Sequence, residues 1–242
     1  MIRTIVTSAT YRQSSKTRKE LEGRDPDNAL LARQSRLRLP AELIRDEALF
    51  AGDLLTLQVG GKSVRPPQPA GVAALAYGAK GDESWVESKG PDKYRRGLYI
   101  HFQRATPYPL MANFDAPRAV VAQCTRERTD TPLQALNLLN DPVFFEAAQG
   151  LATRIIREMP GAVDGRVDYA FRLSIAREPS KREKDRLLRY YEQQKELMLR
   201  DPETAEKLYP ANGIEGVDRT EAAAWVSVST VLLNLDEFIT RN

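Results

Sequence analysis

Helix-start signals recur through the second half of the chain and constrain its fold more than any other feature. Each consists of a residue that can cap a helix, followed by proline or, three positions on, by glutamine or glutamate. The cap's side chain accepts a hydrogen bond from an N–H group that the first turn leaves unpaired. Four positions fit: Thr131 with Pro132 and Gln134, Asp141 with Pro142, Ser180 with Glu183, and Asp201 with Pro202. The pattern predicts that residues 131–242 are helical.

Apolar residues recur at helical spacing behind these caps. The helix after Asp141 has a predicted buried stripe of Phe144, Ala148, Leu151, Ile155 and Met159, and a C-terminal helix has one of Trp225, Val228, Leu232, Leu235 and Ile239. An earlier amphipathic helix is predicted over roughly 40–57, with Pro40 in its first turn.

The first half of the chain carries weaker signals. Residues 58–95 are rich in glycine and proline and predict a long irregular loop, whereas the aromatic and β-branched run over 96–104 predicts a small β element. Residues 1–39, with a turn at 24–28, are expected to wrap a neighbouring surface. The predicted fold is mainly α: a single domain over 1–242, built as an irregular helical bundle with a small β element and a long Gly/Pro-rich loop.

Composition excludes several classes of function. The 36 Lys and Arg residues are interleaved with 33 Asp and Glu residues, which argues against a nucleic-acid-binding surface. One cysteine, Cys124, and one histidine, His101, exclude an internal disulfide, a cysteine-rich zinc site and haem attachment, so no metal or cofactor is predicted in this chain. No apolar run approaches the about 20 residues of a membrane span.

The densest cluster of charge lies just before the Thr131 cap. Arg126, Glu127, Arg128 and Asp130 follow one another there. One interpretation is a ligand site, in which guanidinium groups, with Arg12, hold the carboxylate or sulfate of an acidic polysaccharide. The other is a structural hub in which Arg126 or Arg128 binds Asp115 and braces the loop beneath the helices.

Catalytic alternatives rest on fewer residues. Asp115 and Glu127 could form the carboxylate pair of a polysaccharide hydrolase or lyase, with His101 as a general base. His101 could equally be a partly buried residue with one hydrogen bond, and Cys124, beside Val120 and Val121, is predicted to be buried. Four aromatic residues of the loop region could stack on sugars or simply cover the core: Tyr77, Trp85, Tyr94 and Tyr108.

Several motifs together resemble one family. They are RDPDNALLAR (24–33), RPPQPAGV (65–72), YRRGLYI (94–100), FDAPR (114–118), CTRERTDTPLQALNLLNDPVFFEAA (124–148) and FRLSIAREPSKRE (171–183). The chain is identified by them as similar to the planctomycete-type domain of uncharacterised function that lies at the C-terminus of planctomycete cytochrome-c-domain proteins.

The resemblance implies a non-catalytic structural or ligand-binding module of a larger exported, cell-surface or periplasmic protein, linked to polysaccharide use. Haem c would belong to an upstream domain, which would also be the partner of this module. The chain opens directly into the apolar run TIVTSATY (4–11), so we expect a fragment of a multidomain protein; a chain complete at Met1 would instead be cytoplasmic.

Overall fold

The computed structural model describes residues 1–72, 74–77, 85–118, 122, 124–210, 213–214 and 216–241, with the backbone alone at 76 and 77. Within them the fold is mainly α, which confirms the predicted class. The chain divides into two compact units, one formed by residues 1–39 and 239–242 and the other by residues 40–238. This division does not show whether the two units fold together, so the single domain over 1–242 stays a prediction.

The smaller unit contains little regular structure. It has a short helix, α1 (Ile2–Val6), and a two-stranded antiparallel sheet of β1 (Leu37–Arg38) and β2 (Thr240–Arg241), with Leu37 opposite Arg241. The turn predicted at 24–28 is present. Asp25 is buried there, and its carboxylate accepts hydrogen bonds from the N–H groups of Ala29 (2.7 Å) and Leu30 (3.0 Å).

The larger unit is a helical bundle. Its helices within the described residues are α2 (Ala41–Ala51), α3 (Ala74–Tyr77), α4 (Pro109–Asn113), α5 (Pro132–Asn140), α6 (Pro142–Glu158), α7 (Val163–Ile175), α8 (Lys181–Arg200), α9 (Pro202–Leu208), α10 (Arg219–Leu233) and α11 (Asp236–Ile239), the last ending at the unit boundary. The 3-10 turns Gly90–Tyr94 and Gly97–Tyr99 precede α4.

All four predicted caps form. Thr131, Asp141, Ser180 and Asp201 each accept a hydrogen bond from a backbone N–H in the first turn of α5, α6, α8 and α9. The Ser180 cap is a complete capping box, since the Glu183 side chain also accepts from the N–H of Ser180. The start of each of these helices is therefore set locally.

The core lies around α10, which packs against α6 and α8. Trp225 of α10 is fully buried, and its ring centroid lies 5.2 Å from that of Tyr191 on α8. The apolar stripe of α6 is buried from Phe144 to Ile155 as predicted. Burying these aromatic and aliphatic side chains is the main source of the unit's stability.

The helix predicted over roughly 40–57 ends earlier, at Ala51. Asp53 adopts a left-handed conformation (φ 57°), and the N–H groups of Leu54 and Leu55 both bond to the carbonyl of Leu49. The chain therefore turns back on itself, which the apolar spacing did not reveal. The predicted C-terminal helix is likewise interrupted between Leu233 and Asp236.

The β element predicted near 96–104 is wrong. The segment contains the 3-10 turn Gly97–Tyr99, and the described residues pair with it through an isolated bridge at Ile100, with another at the preceding Arg95. The small sheet lies instead between residues 37–38 and 240–241. The cause is that side chains take up several of its backbone groups, as shown below for Arg95 and Gly97.

An arginine at the end of α7 joins three helices of the larger unit. Arg177 forms two-pronged ion pairs with Glu183 at the start of α8 and Glu237 in α11, with N–O distances of 2.6–3.0 Å. The hydrogen bonds from Arg177 lower the pKa of Glu183 to about 2. Because the ionised carboxylate is the bound form, this contribution to stability is complete above the ordinary glutamate pKa and disappears as the pH falls through the folded-state value.

We therefore expect the loss of stability caused by Glu183→Gln to depend on pH. The difference in unfolding free energy from wild type should be largest near neutral pH and shrink between about pH 4.5 and pH 2. Chemical denaturation across this range measures it. Glu203→Gln, which removes an exposed ion pair with Lys207, is the matched control and should have little effect at any pH. A pH-independent loss in Glu183→Gln would contradict the prediction.

Candidate functional site

The most deeply buried charge in the larger unit belongs to Arg45 of α2. Its guanidinium is inaccessible to solvent and donates to the backbone carbonyls of Arg95 (2.7 Å) and Lys93 (2.9 Å). Burial lowers the pKa of Arg45, against the raising effects of Tyr108, Asp46 and Asp141. An arginine committed in this way to carbonyl groups fixes the position of the segment that carries them.

The side chain of Asp46, the next residue of α2, fixes the same segment. One carboxylate oxygen of Asp46 accepts a hydrogen bond from the N–H of Gly97 (2.6 Å), and the other accepts one from the Nε–H of Arg96 (3.1 Å). A Cβ on Gly97 would lie 2.8 Å from Cα of Glu42, so only glycine allows this close approach. Residues 93–97 are thus attached to α2 through four hydrogen bonds.

A second buried arginine extends this bracing to the glycine-rich loop. Arg95 stacks on the Tyr99 ring at 4.0 Å and donates to the carbonyls of Lys62 (2.8 Å) and Gly60. The Tyr99 hydroxyl accepts the N–H of Gly60 (2.7 Å). Gly60 and Lys62 are therefore held against the segment 94–102, which lines two recesses of the surface.

The first recess, called the Tyr94 groove below, has a volume of about 290 Å³. It is lined by Tyr94, by the turn after α2 and by polar residues of α6. The residues that matter for its chemistry are Asp53, Tyr94, Glu146, Gln149, Arg154 and Arg157. Gly150 of α6 also lines it, where α6 touches the backbone of Gly52 so closely that no side chain fits between them.

Ion pairs compensate the charges in and around the Tyr94 groove. Arg157 binds Asp53 (3.2 Å), Arg154 binds Glu158 (3.2 Å), and Lys93 binds Glu146. The hydrogen bond from Arg157 to Asp53 and, to a smaller extent, the one to Glu158 raise the pKa of Arg157.

One carboxylate oxygen beside the Tyr94 groove has no partner among the described residues. Oε2 of Glu146 is buried and has no hydrogen-bond partner among the described residues. Unpaired buried polar atoms are uncommon in folded proteins, so this oxygen departs from the usual pairing.

The second recess, called the His101 pocket below, has a volume of about 220 Å³ and lies between α2, the segment 97–102 and α4. Its walls are largely apolar, and its polar residues are Glu42 and His101. Nδ1 of His101 is 3.2 Å from Oγ of Ser63, and burial together with the charge of Arg65 lowers the pKa of His101.

Two of the four aromatic residues singled out from the sequence belong to the core. Trp85 and Tyr108 are buried and stacked, with ring centroids 5.6 Å apart, and they donate to the carbonyls of Pro66 and Pro67. Tyr94 is half-buried in its groove, and the side chain of Tyr77 lies outside the described residues.

The predicted hub before Thr131 is divided in the structure. Arg126 binds Glu42 (2.8 Å) rather than Asp115. Asp115 instead accepts from the N–H of Thr129 (2.7 Å) and from its hydroxyl. The brace that was expected from an arginine is therefore supplied by a threonine.

A network of neutral side chains continues from Thr129 into the helices. Gln134, almost fully buried, donates to Oγ1 of Thr129 and to the carbonyl of Asn113, each at 3.0 Å. Asn113 donates in turn to Asn137, which donates to the α6 cap Asp141. Burial raises the pKa of Asp141, against the hydrogen bonds from Val143 and Asn137 and the charge of Arg45.

The remaining candidates are on the surface. The side chains of Glu127, Arg128 and Asp130 are exposed, and those of Glu127 and Arg128 form no hydrogen bond or ion pair with the described part of the chain. Arg12 is exposed in the smaller unit. Cys124 is exposed, so its predicted burial is wrong; Val120 and Val121, its expected neighbours, lie outside the described residues.

Sequence reasoning missed the residues that organise both recesses: Arg45, Asp46, Arg95, Glu146 and Arg157. One signal was present in the sequence. Arg45 lies between Ile44 and Ala48 on the apolar face predicted for α2, where a charged residue must find partners in the interior. Its partners are backbone carbonyls 48 and 50 positions away, which no local pattern encodes.

Two further properties concern only the described residues. They contain no group of three or more His, Cys, Asp or Glu side chains arranged to hold a metal ion. No helix among them is long and apolar enough to cross a membrane.

Comparison with known proteins identifies a family and no characterised relative. No curated protein and no solved structure is significantly similar to the chain. A family model described as PSD1, protein of unknown function (DUF1553), matches residues 1–191, which is more than half of the chain and includes every motif quoted above. The chain therefore belongs to the PSD1 (DUF1553) family, whose function is unknown.

Proposed function

We propose that the chain is a non-catalytic module that binds neutral carbohydrate, and that the Tyr94 groove is its ligand site. The observation that carries the proposal is the combination, in one open groove, of an aromatic side chain with hydrogen-bonding side chains whose charges already cancel. Tyrosine offers an apolar ring with a polar end, which suits the apolar face and the hydroxyl edge of a sugar.

Sugar hydroxyl groups donate and accept hydrogen bonds at once, so a site for them needs both kinds of partner. Arg154 and Arg157 supply donors, and Asp53 and the side-chain carbonyl oxygen of Gln149 supply acceptors. A charged ligand would need an uncompensated charge of opposite sign, whereas here each cation has its own carboxylate. This favours a neutral polysaccharide over the acidic one inferred from the sequence.

The walls of the groove are fixed before any ligand arrives. Lys93 and Arg95, on either side of Tyr94, are held by Arg45 through their carbonyls. Gln149 donates to the carbonyls of Leu208 (3.1 Å) and Tyr209 (3.3 Å), which holds the segment before Pro210. Such preorganisation lowers the entropic cost of binding.

The same contacts support binding rather than hydrolysis. In the groove, Asp53 and Glu146 are each bound to a cationic side chain, so neither is free to deliver a proton to a glycosidic oxygen. Asp115, a catalytic candidate from the sequence, has both carboxylate oxygens occupied by Thr129.

The family resemblance supports a second part of the proposal. We place the module in a larger exported protein, beside an upstream domain that carries haem c, with polysaccharide use as the shared task. A coding sequence that continues upstream into a CxxCH-containing domain is the result expected.

Binding is tested by titrating isotope-labelled protein with neutral oligosaccharides such as cello-, xylo- and manno-oligomers while recording amide chemical shifts. We expect saturable shifts around Tyr94 and Gln149. Tyr94→Ala should weaken binding at least about tenfold, which corresponds to about 1.4 kcal/mol. Arg157→Gln, on a largely exposed side chain, should weaken it with the fold intact. Tyr11→Ala, at an exposed tyrosine of the smaller unit, is the matched control.

Two outcomes would reject the proposal. The first is affinity for neutral oligomers that Tyr94→Ala and Arg157→Gln leave unchanged. The second is hydrolase or lyase activity on sulfated, uronic-acid or neutral polymers that Glu127→Gln abolishes while the melting temperature stays constant. The second result would establish instead the paired-carboxylate enzyme that the sequence allows.

A further inference from the structure

The His101 pocket is a recess separate from the proposed carbohydrate site and lined by different residues. We infer that it binds a small neutral aromatic alcohol, of which phenol is the simplest example. The residues that bear on this inference are Glu42, Leu98, His101, Phe102, Met111 and Pro117.

The size of the pocket limits its ligand to about one ring. An apolar cavity of about 150 Å³ accommodates benzene, and sites for drug-sized molecules begin at about 300 Å³. At about 220 Å³ the His101 pocket has room for a six-membered ring with a small substituent.

The walls favour an aromatic ring over a polar one. Phe102 and Pro117 offer apolar surfaces, and the thioether of Met111 contacts aromatic rings favourably. Tyr108 contributes only its ring, because its hydroxyl is committed to the carbonyl of Pro67 at 2.9 Å. A sugar would leave most of its hydroxyl groups without partners against these walls, and that costs binding free energy.

The polar side chains that line the pocket match a single hydroxyl. The carboxylate of Glu42 binds Arg126, which compensates its charge, yet a carboxylate can accept several hydrogen bonds. His101 uses Nδ1 with Ser63 and has a second ring nitrogen. A phenolic O–H can donate to Glu42 or pair with His101, whereas a cation would find no uncompensated negative charge there.

Two exposed apolar residues mark the mouth of the pocket. Leu98 is 56% exposed and Phe102 is 45% exposed, although both line the recess. A ring seated between them would remove part of this apolar surface from water, which is the main favourable contribution expected for so small a ligand.

The two tryptophans of the chain provide a reporter and an internal control. Trp85 lies next to the pocket, with its ring centroid 6.4 Å from that of His101 and its ring stacked on Tyr108. Trp225 is buried in α10, in the core. Titration of the labelled chain with phenol should shift the indole N–H signal of Trp85 saturably and leave that of Trp225 unchanged.

Probe and variant controls separate this binding from nonspecific association. Toluene, which lacks the hydroxyl, and cyclohexanol, which lacks the aromatic ring, should each bind at least about threefold more weakly than phenol. Ala112→Phe, at an exposed position of α4 that lines the pocket, should abolish the shift by filling the mouth. Ala135→Phe, at an exposed position of α5, should leave it intact.

The inference is overturned if phenol produces no saturable shift at Trp85, or if Trp225 responds equally. It is also overturned if Ala112→Phe and Ala135→Phe behave alike, or if toluene binds as well as phenol. Glucose is expected to leave Trp85 unchanged, so a shift with glucose would assign the pocket to carbohydrate instead.

Discussion

Arg45→Met should lower the free energy of unfolding by about 3–5 kcal/mol, the largest loss of stability that we predict for any substitution in this protein. Methionine keeps the length of the apolar stem, so the loss comes from the carbonyls of Lys93 and Arg95, which remain buried without a donor. The substitution also removes the desolvation cost of a buried cation, the same burial that lowers the pKa of Arg45, and this limits the loss.

The matched control for Arg45→Met is Arg126→Met. It removes a guanidinium that is 43% exposed and bound to one carboxylate, and we expect a loss of no more than about 1 kcal/mol. Urea denaturation of both variants measures the difference. Equal effects would show that water enters and satisfies the two carbonyls, and that Arg45 does not brace the segment. Arg45→Met should also weaken oligosaccharide binding, because the segment it holds carries Tyr94.

Two glycine-to-alanine substitutions should change stability in opposite directions. Gly150 in α6 meets the backbone of Gly52, and a Cβ on Gly52 would in turn lie 2.7 Å from the carbonyl oxygen of Ala147. Alanine at 150 would force α2 and α6 apart, and such overpacking costs about 1–3 kcal/mol. Gly165 in α7 has nothing within 4 Å of its virtual Cβ, so alanine there should stabilise by about 0.4–1 kcal/mol.

Thermal unfolding followed by circular dichroism compares the two variants directly. If Gly150→Ala raised the melting temperature as Gly165→Ala is expected to, the close helix contact would not exist as described. Since Gly150 also lines the Tyr94 groove, Gly150→Ala should reduce carbohydrate affinity as well. Gly165→Ala should leave affinity unchanged, which separates the effect on the groove from the effect of an altered glycine content.

The charged cluster before Thr131 shows how sequence alone misdirects the choice of a site. Arginines next to acids predicted a hub or an anion site, yet Arg128 and Glu127 are exposed and Arg126 binds Glu42 in another part of the chain. The hydrogen-bonded bracing runs instead through Asp115, Thr129 and Gln134, which no pattern in the sequence distinguishes as a network. A dense run of charged residues in the sequence therefore does not show which of these side chains are buried or which residues they bind.

Local sequence determined where the helices of the second half begin and which faces they bury. Caps such as Thr131 and Ser180 act within one turn, and the apolar stripe of α6 depends only on residues three or four positions apart. The mainly α class and the family membership follow from information of this kind and from whole motifs.

Tertiary structure alone decided the path of the described residues between 52 and 102 and the position of both recesses. There, backbone groups bond to side chains about 50 residues away, as Gly97 does to Asp46 and Arg95 does to Arg45, so β propensity near Tyr99 was overridden. The ion pairs that make the Tyr94 groove neutral also join residues up to 104 positions apart. Such pairs are chosen by packing, because a buried or half-buried charge takes whichever partner the fold brings within reach.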